Sequence, residues 1–262
     1  MADNTLLFDG ARCIGCKRCQ MACSAQRGLK GSAEDASSVT APVAPWAPDV
    51  DGNALMALTY LEQAAGEKDF QYTFGRKSCM HCRDAACVRV CPTGAMAVDE
   101  ETGFVRNRAD RCVSCGLCET VCPFDVPRIN EAQRRVVKCD GCADVVASGE
   151  APLCVGACSA GALLFGERAD LLEEGQQRVA ALQEQGFADA CLFGATEQGG
   201  LRVLEVLKYG LAGVRGEVLA DTGSNKTVQA VELTGPVSLG VLGVLTVGGI
   251  VLFGYGMKQP KR

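Results

Sequence analysis

Sixteen of the seventeen cysteines in this 262-residue chain fall into four close sets of four, and no other feature constrains its fold so tightly. The first set is Cys13, Cys16, Cys19 and Cys23, in "CIGCKRCQMAC". The second is Cys79, Cys82, Cys87 and Cys91, in "CMHCRDAACVRVCP", and the third is Cys112, Cys115, Cys118 and Cys122, in "CVSCGLCETVCP". The fourth, Cys139, Cys142, Cys154 and Cys158, is spread over "KCDGCADVVASGEAPLCVGACSAG". Cysteine at this density means a disulfide scaffold or metal thiolates. Disulfide scaffolds are short secreted chains, and "MADNTLLFDGARC" has neither the basic start nor the apolar run of a signal peptide. Metal thiolates are the expectation.

The spacing selects the metal. The first and third sets follow the C-x2-C-x2-C-x3-C run of bacterial ferredoxins, and Pro123 follows the third. Three cysteines on one short loop reach three corners of an iron–sulfur cubane, while the fourth points away toward a second cluster. Such motifs therefore come in pairs. Zinc asks for two short C-x2-C knuckles per tetrahedral site and has no use for the third cysteine of each run. It remains the alternative chiefly for the fourth set.

Pairing follows from the chain. Residues 95–98 and 104–107 flank an acidic, glycine-containing turn and read as a β-hairpin between Cys91 and Cys112. That hairpin joins the second and third sets into one module and leaves the first set to pair with the fourth. The expected fold class is α+β, with two nested bacterial-ferredoxin-like two-cluster modules and a single C-terminal transmembrane helix. Residues 1–24 and 125–166 form the discontinuous module and 75–124 the continuous one. Residues 25–74 are an insertion, 167–232 a helix-and-strand connector to the membrane, 233–257 the membrane span and 258–262 a basic tail.

Within the insertion, an Ala/Ser/Pro-rich tract leads to two strands, "ALMALTYLEQ" and "DFQYTF". Trp46 in that tract fills a local pocket or packs on a partner, the former being commoner for a loop tryptophan. Residues 168–187 carry Leu171, Leu172, Val179 and Leu182 at helical spacing, an amphipathic helix. "LRVLEVL" reads as a strand, and Cys191, outside any metal spacing, as a buried apolar residue. From 233 to 257 no residue is charged, enough to cross a bilayer core of about 30 Å as a helix. Lys258, Lys261 and Arg262 follow it, which by the positive-inside tendency makes the C-terminus cytoplasmic and the cluster domain outward-facing.

These residues resemble the four-cluster electron-transfer subunits of molybdopterin oxidoreductases. Through "CMHCRDAAC", "CPFDVPRIN", "RRVVKCDGCADVVASGEAPLCVGACSAGALLFG" and "QQRVAALQEQGF" they are similar to the iron–sulfur (β) subunit of membrane-bound respiratory formate dehydrogenase. The resemblance implies four 4Fe-4S clusters whose ligands cross between paired motifs. Cys13, Cys16, Cys19 and Cys158 would hold one; Cys139, Cys142, Cys154 and Cys23 its neighbour. Cys79, Cys82, Cys87 and Cys122 would hold a third; Cys112, Cys115, Cys118 and Cys91 a fourth. It also implies a molybdopterin catalytic (α) subunit, a membrane cytochrome b (γ) subunit, and location in the inner membrane. Export would follow from a twin-arginine signal on the catalytic partner, and the nested pair would lie nearer that partner. The sequence departs from the family in "CSAG" after Cys158, where proline is commoner. His81 would tune the nearest cluster through its N–H or fill space. Lys138 would lend a cluster its charge or, as lysines commonly do, stand solvated.

Function classes narrow accordingly. With one histidine, His81, the chain cannot supply both ligands of a bis-histidine haem, and neither haem nor pterin is expected in it. A formal charge of −5 without a Lys/Arg block argues against nucleic acid. Four oxidised cubanes would take that charge to about −13. There is no Walker loop, dinucleotide fingerprint or Ser/His/Asp set, so no substrate site is expected. The expected role is electron conduction from formate oxidation toward quinone. The alternatives are the equivalent subunit of a sulfur-compound or dimethyl sulfoxide reductase or of a hydrogenase, and a zinc-bearing membrane adaptor.

Overall fold

The computed structural model describes residues 3–26, 50–64 and 70–210. The span read at 233–257, the basic tail and Trp46 lie outside them. Among the described residues no helix is long and apolar enough to cross a membrane.

The centre is a four-stranded sheet in the order β8-β1-β10-β9. Here β1 is Asn4–Asp9, β8 Leu163–Glu167, β9 Cys191–Phe193 and β10 Val203–Leu207. β1 runs parallel to β10, Leu6 opposite Val203, and antiparallel to β8. β10 pairs antiparallel with β9. Both inner strands are almost wholly buried, Asp9 and Glu205 included, as expected of strands covered on both faces.

The pleat sorts their side chains. Leu7, Leu204 and Val206 pack against Leu171 and Leu182 of helix α6, Arg168–Glu184. On the other face Leu6, Val203 and Leu207 pack with Cys79, Cys82 and Cys122, and Phe8 packs with Cys19, Cys23, Cys139 and Cys154. The sheet is the floor of the cysteine region. The amphipathic helix and the last strand take the form expected from their periodicity, but from 168 to 207 the stretch read as a connector is part of this sheet and its cover. Gly175 lets α6 settle close, since a Cβ there would meet Leu192 at 2.8 Å. Arg178 of α6 bonds Asp9 at 3.2 Å in a buried pair, and Asp9 accepts from the N–H groups of Ala11 and Arg12. One carboxylate thus ties α6 to the start of the first cysteine loop.

Three hairpins complete the described part. β2 (Met56–Ala64) pairs with β3 (Phe70–Ser78), β4 (Met96–Val98) with β5 (Val105–Asn107), and β6 (Arg128–Asn130) with β7 (Arg135–Val137). The first two are the hairpins expected from the alternation. Short helices follow the cysteine loops: α1 (Arg18–Gln26), α2 (Ala86–Arg89), α3 (Leu117–Thr120), α4 (Ala143–Ala147) and α5 (Leu153–Gly156). The second loop docks on the sheet through Arg202, whose N–H reaches the carbonyl of Met80 at 3.1 Å. Cys191 is half-buried rather than buried, because β9 is an edge strand.

Candidate metal centres

Every cysteine loop contains left-handed backbone. The residues are Gly15 and Lys17 in the first, His81 in the second, Ser114 and Gly116 in the third, and Gly141 and Cys142 in the fourth. Such turns aim successive N–H groups to one side and make a concave seat for anionic sulfur. The donors are visible. Met96 N–H reaches Cys91 Sγ at 3.3 Å, Val136 N–H reaches Cys112 at 3.4 Å, Gly141 N–H reaches Cys139 at 3.4 Å and Gly15 N–H reaches Cys13 at 3.5 Å. Gly15 and Gly141 are required sterically as well: a Cβ would overlap the rings of Phe74 and Phe104.

None of the seventeen cysteines is in a disulfide. Among the described residues, no three His, Cys, Asp or Glu side chains gather closely enough for a single metal ion. The thiols do stand within electrostatic reach of one another in a definite pattern. Cys13 faces Cys158 and Cys16, and Cys139 faces Cys23. Cys154 faces Cys142; Cys82 faces Cys79, Cys122 and Cys87. Cys118 faces Cys115, Cys91 and Cys112. The fold thus carries the last cysteine of each set to the opposite member of its pair.

Burial dominates their protonation. It lifts Cys82 well above the ordinary thiol value, Cys87 to about 12, and Cys19 and Cys118 to about 11. Cys139 and Cys154 rise for the same reason, against the pull of Arg76. A metal cluster must displace these protons, so ligation and proton release are coupled. Cys91 and Cys112 go the other way. Burial raises them too, but N–H donors led by Met96 and Val136 outweigh it and hold both below the usual thiol.

Two buried cations accompany the thiols. Lys138 is 5% exposed, with Nζ donating to the carbonyls of Val105 and Cys139. Near it stand Cys79 and Cys87 of the second set, Cys139 of the fourth, and Asp140. The reading of a solvated lysine is overturned: β5 and the start of the fourth loop close over it. Arg76 is 2% exposed, and nothing in the cysteine spacing pointed to it. The strand read there, "DFQYTF", stops at Phe74, short of Arg76.

His81 is fully buried. Its Nδ1 accepts from the Val105 N–H at 3.0 Å and its ring meets Phe104 edge to face at 4.8 Å. Nδ1 is therefore unprotonated, and burial together with Lys138 and Arg76 keeps the ring neutral. Nε2 carries the hydrogen and has no protein partner, nor has the buried hydroxyl of Ser114 in the third loop. Groups composed of thiols, sulfur-directed N–H donors, buried cations and these orphaned polar atoms fit anionic iron–sulfur clusters.

The four cysteine groups differ in exposure. Cys16 and Cys115 are open to solvent, and beside them Ile14 and Val113 are 64% and 63% exposed. The groups around Cys82 and Cys139 contain no exposed cysteine.

Comparison with known proteins gives the same picture. Two family profiles, each described as a 4Fe-4S dicluster domain, match residues 70–168 and 12–95. The iron–sulfur subunit of nitrate-inducible formate dehydrogenase from Escherichia coli strain K12 is 33% identical over 208 residues, 79% of this chain and 69% of that subunit. A formate dehydrogenase iron–sulfur subunit of Haemophilus influenzae is 32% identical over 203 residues, 78% of this chain and 64% of its own length. The B subunit of the E. coli anaerobic dimethyl sulfoxide reductase is 37% identical over 159 residues, covering 61% and 71%. With similarity on this scale, the chain belongs to the family of 4Fe-4S dicluster electron-transfer subunits that includes the iron–sulfur subunits of formate dehydrogenase and the B subunit of dimethyl sulfoxide reductase.

Proposed function

We propose that this chain is the electron-transfer subunit of a membrane-bound formate dehydrogenase. The observation that carries the reading is the crossing of cysteines between loops far apart in sequence, in a chain similar to formate dehydrogenase subunits over 208 residues. The cluster ligands are Cys13, Cys16, Cys19 and Cys158; Cys139, Cys142, Cys154 and Cys23; Cys79, Cys82, Cys87 and Cys122; and Cys112, Cys115, Cys118 and Cys91. The first two groups belong to the discontinuous module of residues 1–24 and 125–166, the last two to residues 75–124. A 4Fe-4S cluster bound at each supplies one-electron redox chemistry.

The chain's own residues do the rest. Thiolates hold, backbone N–H groups offset negative charge on sulfur, and the sheet excludes water from beneath. Electrostatic proximity between groups follows one line: Cys19 to Cys154, Cys139 to Cys79, and Cys87 to Cys118. This supports a single file, entered and left at the exposed Cys16 and Cys115 ends. Lys138 touches the charge of both middle groups and favours electrons on either. His81 offers Nε2–H as a further donor.

The partners are a molybdopterin catalytic subunit, nearer the discontinuous module, and a membrane cytochrome b subunit passing electrons to quinone. Isolation of the intact complex tests this. Formate should bleach the visible band near 400 nm, and the co-purifying large subunit should carry the pterin; bleaching by neither formate nor its partner's reductant contradicts it. The higher identity to a dimethyl sulfoxide reductase subunit favours one second reading, in which that substrate would reoxidise the reduced clusters. We further propose that residues 233–257 span the inner membrane, with the cluster domain outside. Labelling of Lys258 or Lys261 by an impermeant reagent in intact cells would contradict that orientation.

A further inference from the structure

Arg76 belongs to none of the cysteine sets. It sits on β3 opposite Leu58, near the end of the hairpin that rises from the insertion. Its guanidinium is nonetheless buried at 2% exposure, and Nε donates to the sulfur of Met56 at 3.2 Å. A buried charge of this kind persists only with compensation. Around it stand Cys154 and Cys139 of the fourth set, Cys19 of the first, and Glu205. Cys154 also accepts a hydrogen bond from it.

Glu205 is fully buried and lies beside Phe8 in the parallel register of β1 and β10. The pleat puts it on the face of Val203 and Leu207, the face that floors the cysteine region. Met56, to which Arg76 donates, packs in one buried cluster with Cys19, Cys23, Cys139 and Cys154, so the guanidinium stands among thiols as well as beside Glu205. Arginine suits the position because its planar fork serves several acceptors at once and never deprotonates. Met56 fixes one edge of the fork.

We infer that Arg76, carried in by hairpin β2–β3, is a positioning residue shared by the first and fourth cysteine sets, where its buried charge stabilises an added electron on either cluster of that pair. The inference rests on the four-cluster reading. On this account hairpin β2–β3 delivers a second buried cation to the pair, besides Lys138 at the head of the fourth set. Glu205 moderates the effect and holds the guanidinium in place.

The test is a potentiometric titration of the full chain in its isolated complex, followed by the paramagnetic signals of the reduced clusters. Iron analysis comes first, and a wild-type complex without about sixteen irons per chain overturns the four-cluster reading itself. With iron intact, Arg76→Gln should move two of the four reduction steps to lower potential and leave the other two unmoved. Arg76→Lys, which keeps the charge, should leave all four near their wild-type positions. The inference is overturned if full-iron Arg76→Gln moves no step or moves all four alike. It is also overturned if Arg76→Lys shifts the same steps as far. Should Arg76→Gln lose iron, the lysine variant alone decides: retention of four wild-type-like steps supports the charge role, and their displacement contradicts it.

Discussion

The outer and inner cysteine groups use the same kind of loop in opposite surroundings. At the outer ends, Cys16 and Cys115 are open to solvent beside exposed Ile14 and Val113. In the interior, burial drives Cys82 and Cys139 away from ionisation, and Lys138 and Arg76 stand close by. Water and sulfur-directed N–H groups can stabilise charge at the ends. In the middle, where burial excludes water, fixed protein cations join N–H donors such as that of Gly141. Spacing thus decides where a cluster binds, while the fold decides what the cluster feels.

The largest expected effect breaks the symmetry between these regions. Cys82→Ser removes a ligand from a dry interior shared with Met80, Phe124 and Val203, and should abolish soluble, iron-loaded protein. Cys16→Ser, at a solvent-exposed loop, should leave about twelve of about sixteen irons in soluble protein. Iron and yield assays on both check it; equal losses would erase the distinction between inner and outer groups.

Next come the ends themselves. Ile14→Asp and Val113→Asp place charge at the exposed apolar residues and should slow electron exchange with the complex partners by roughly tenfold or more, with iron content unchanged. Stopped-flow reduction within the complex measures this. Lys138→Met sharpens the account of the middle. It should lower the potentials of two clusters, one in each module, by on the order of 100 mV, the loss of about 2 kcal/mol of attraction as for charges roughly 8 Å apart at an effective dielectric of ~20. A shift confined to one cluster would show that Lys138 is not shared.

The smallest effect lies in the hairpin supporting the third set. Burial raises the Asp99 carboxyl, but Thr102 and Arg106 outweigh it and hold it below the usual carboxylate value. A depressed folded pKa gives stability that is present above the unfolded value and lost as pH falls through the folded one. Asp99→Asn should therefore cost up to about 1 kcal/mol near neutrality and nothing in strong acid. Denaturant melts at the two pH values check it.

Much of this was legible in the sequence because it is local. Cysteine runs, the β4–β5 and β2–β3 hairpins and the amphipathic α6 all report on neighbours within about twenty residues. The parallel pairing of β1 with β10 joins Leu6 to Val203, and no local pattern encodes a partner so distant. Arg76 and Glu205 were missed for the same reason: β3 runs past the strand read at "DFQYTF" to Ser78, and only hairpin and sheet together bury the two charges. Lys138 was noticed for its place beside Cys139, yet its burial depends on Val105 from another module.

The most direct measurement is iron and acid-labile sulfide in the chain purified within its complex under strict anaerobic conditions. The account predicts about sixteen of each per chain and paramagnetic signals from four reducible centres on reduction. A colourless protein containing zinc, or none of these signals, would contradict it.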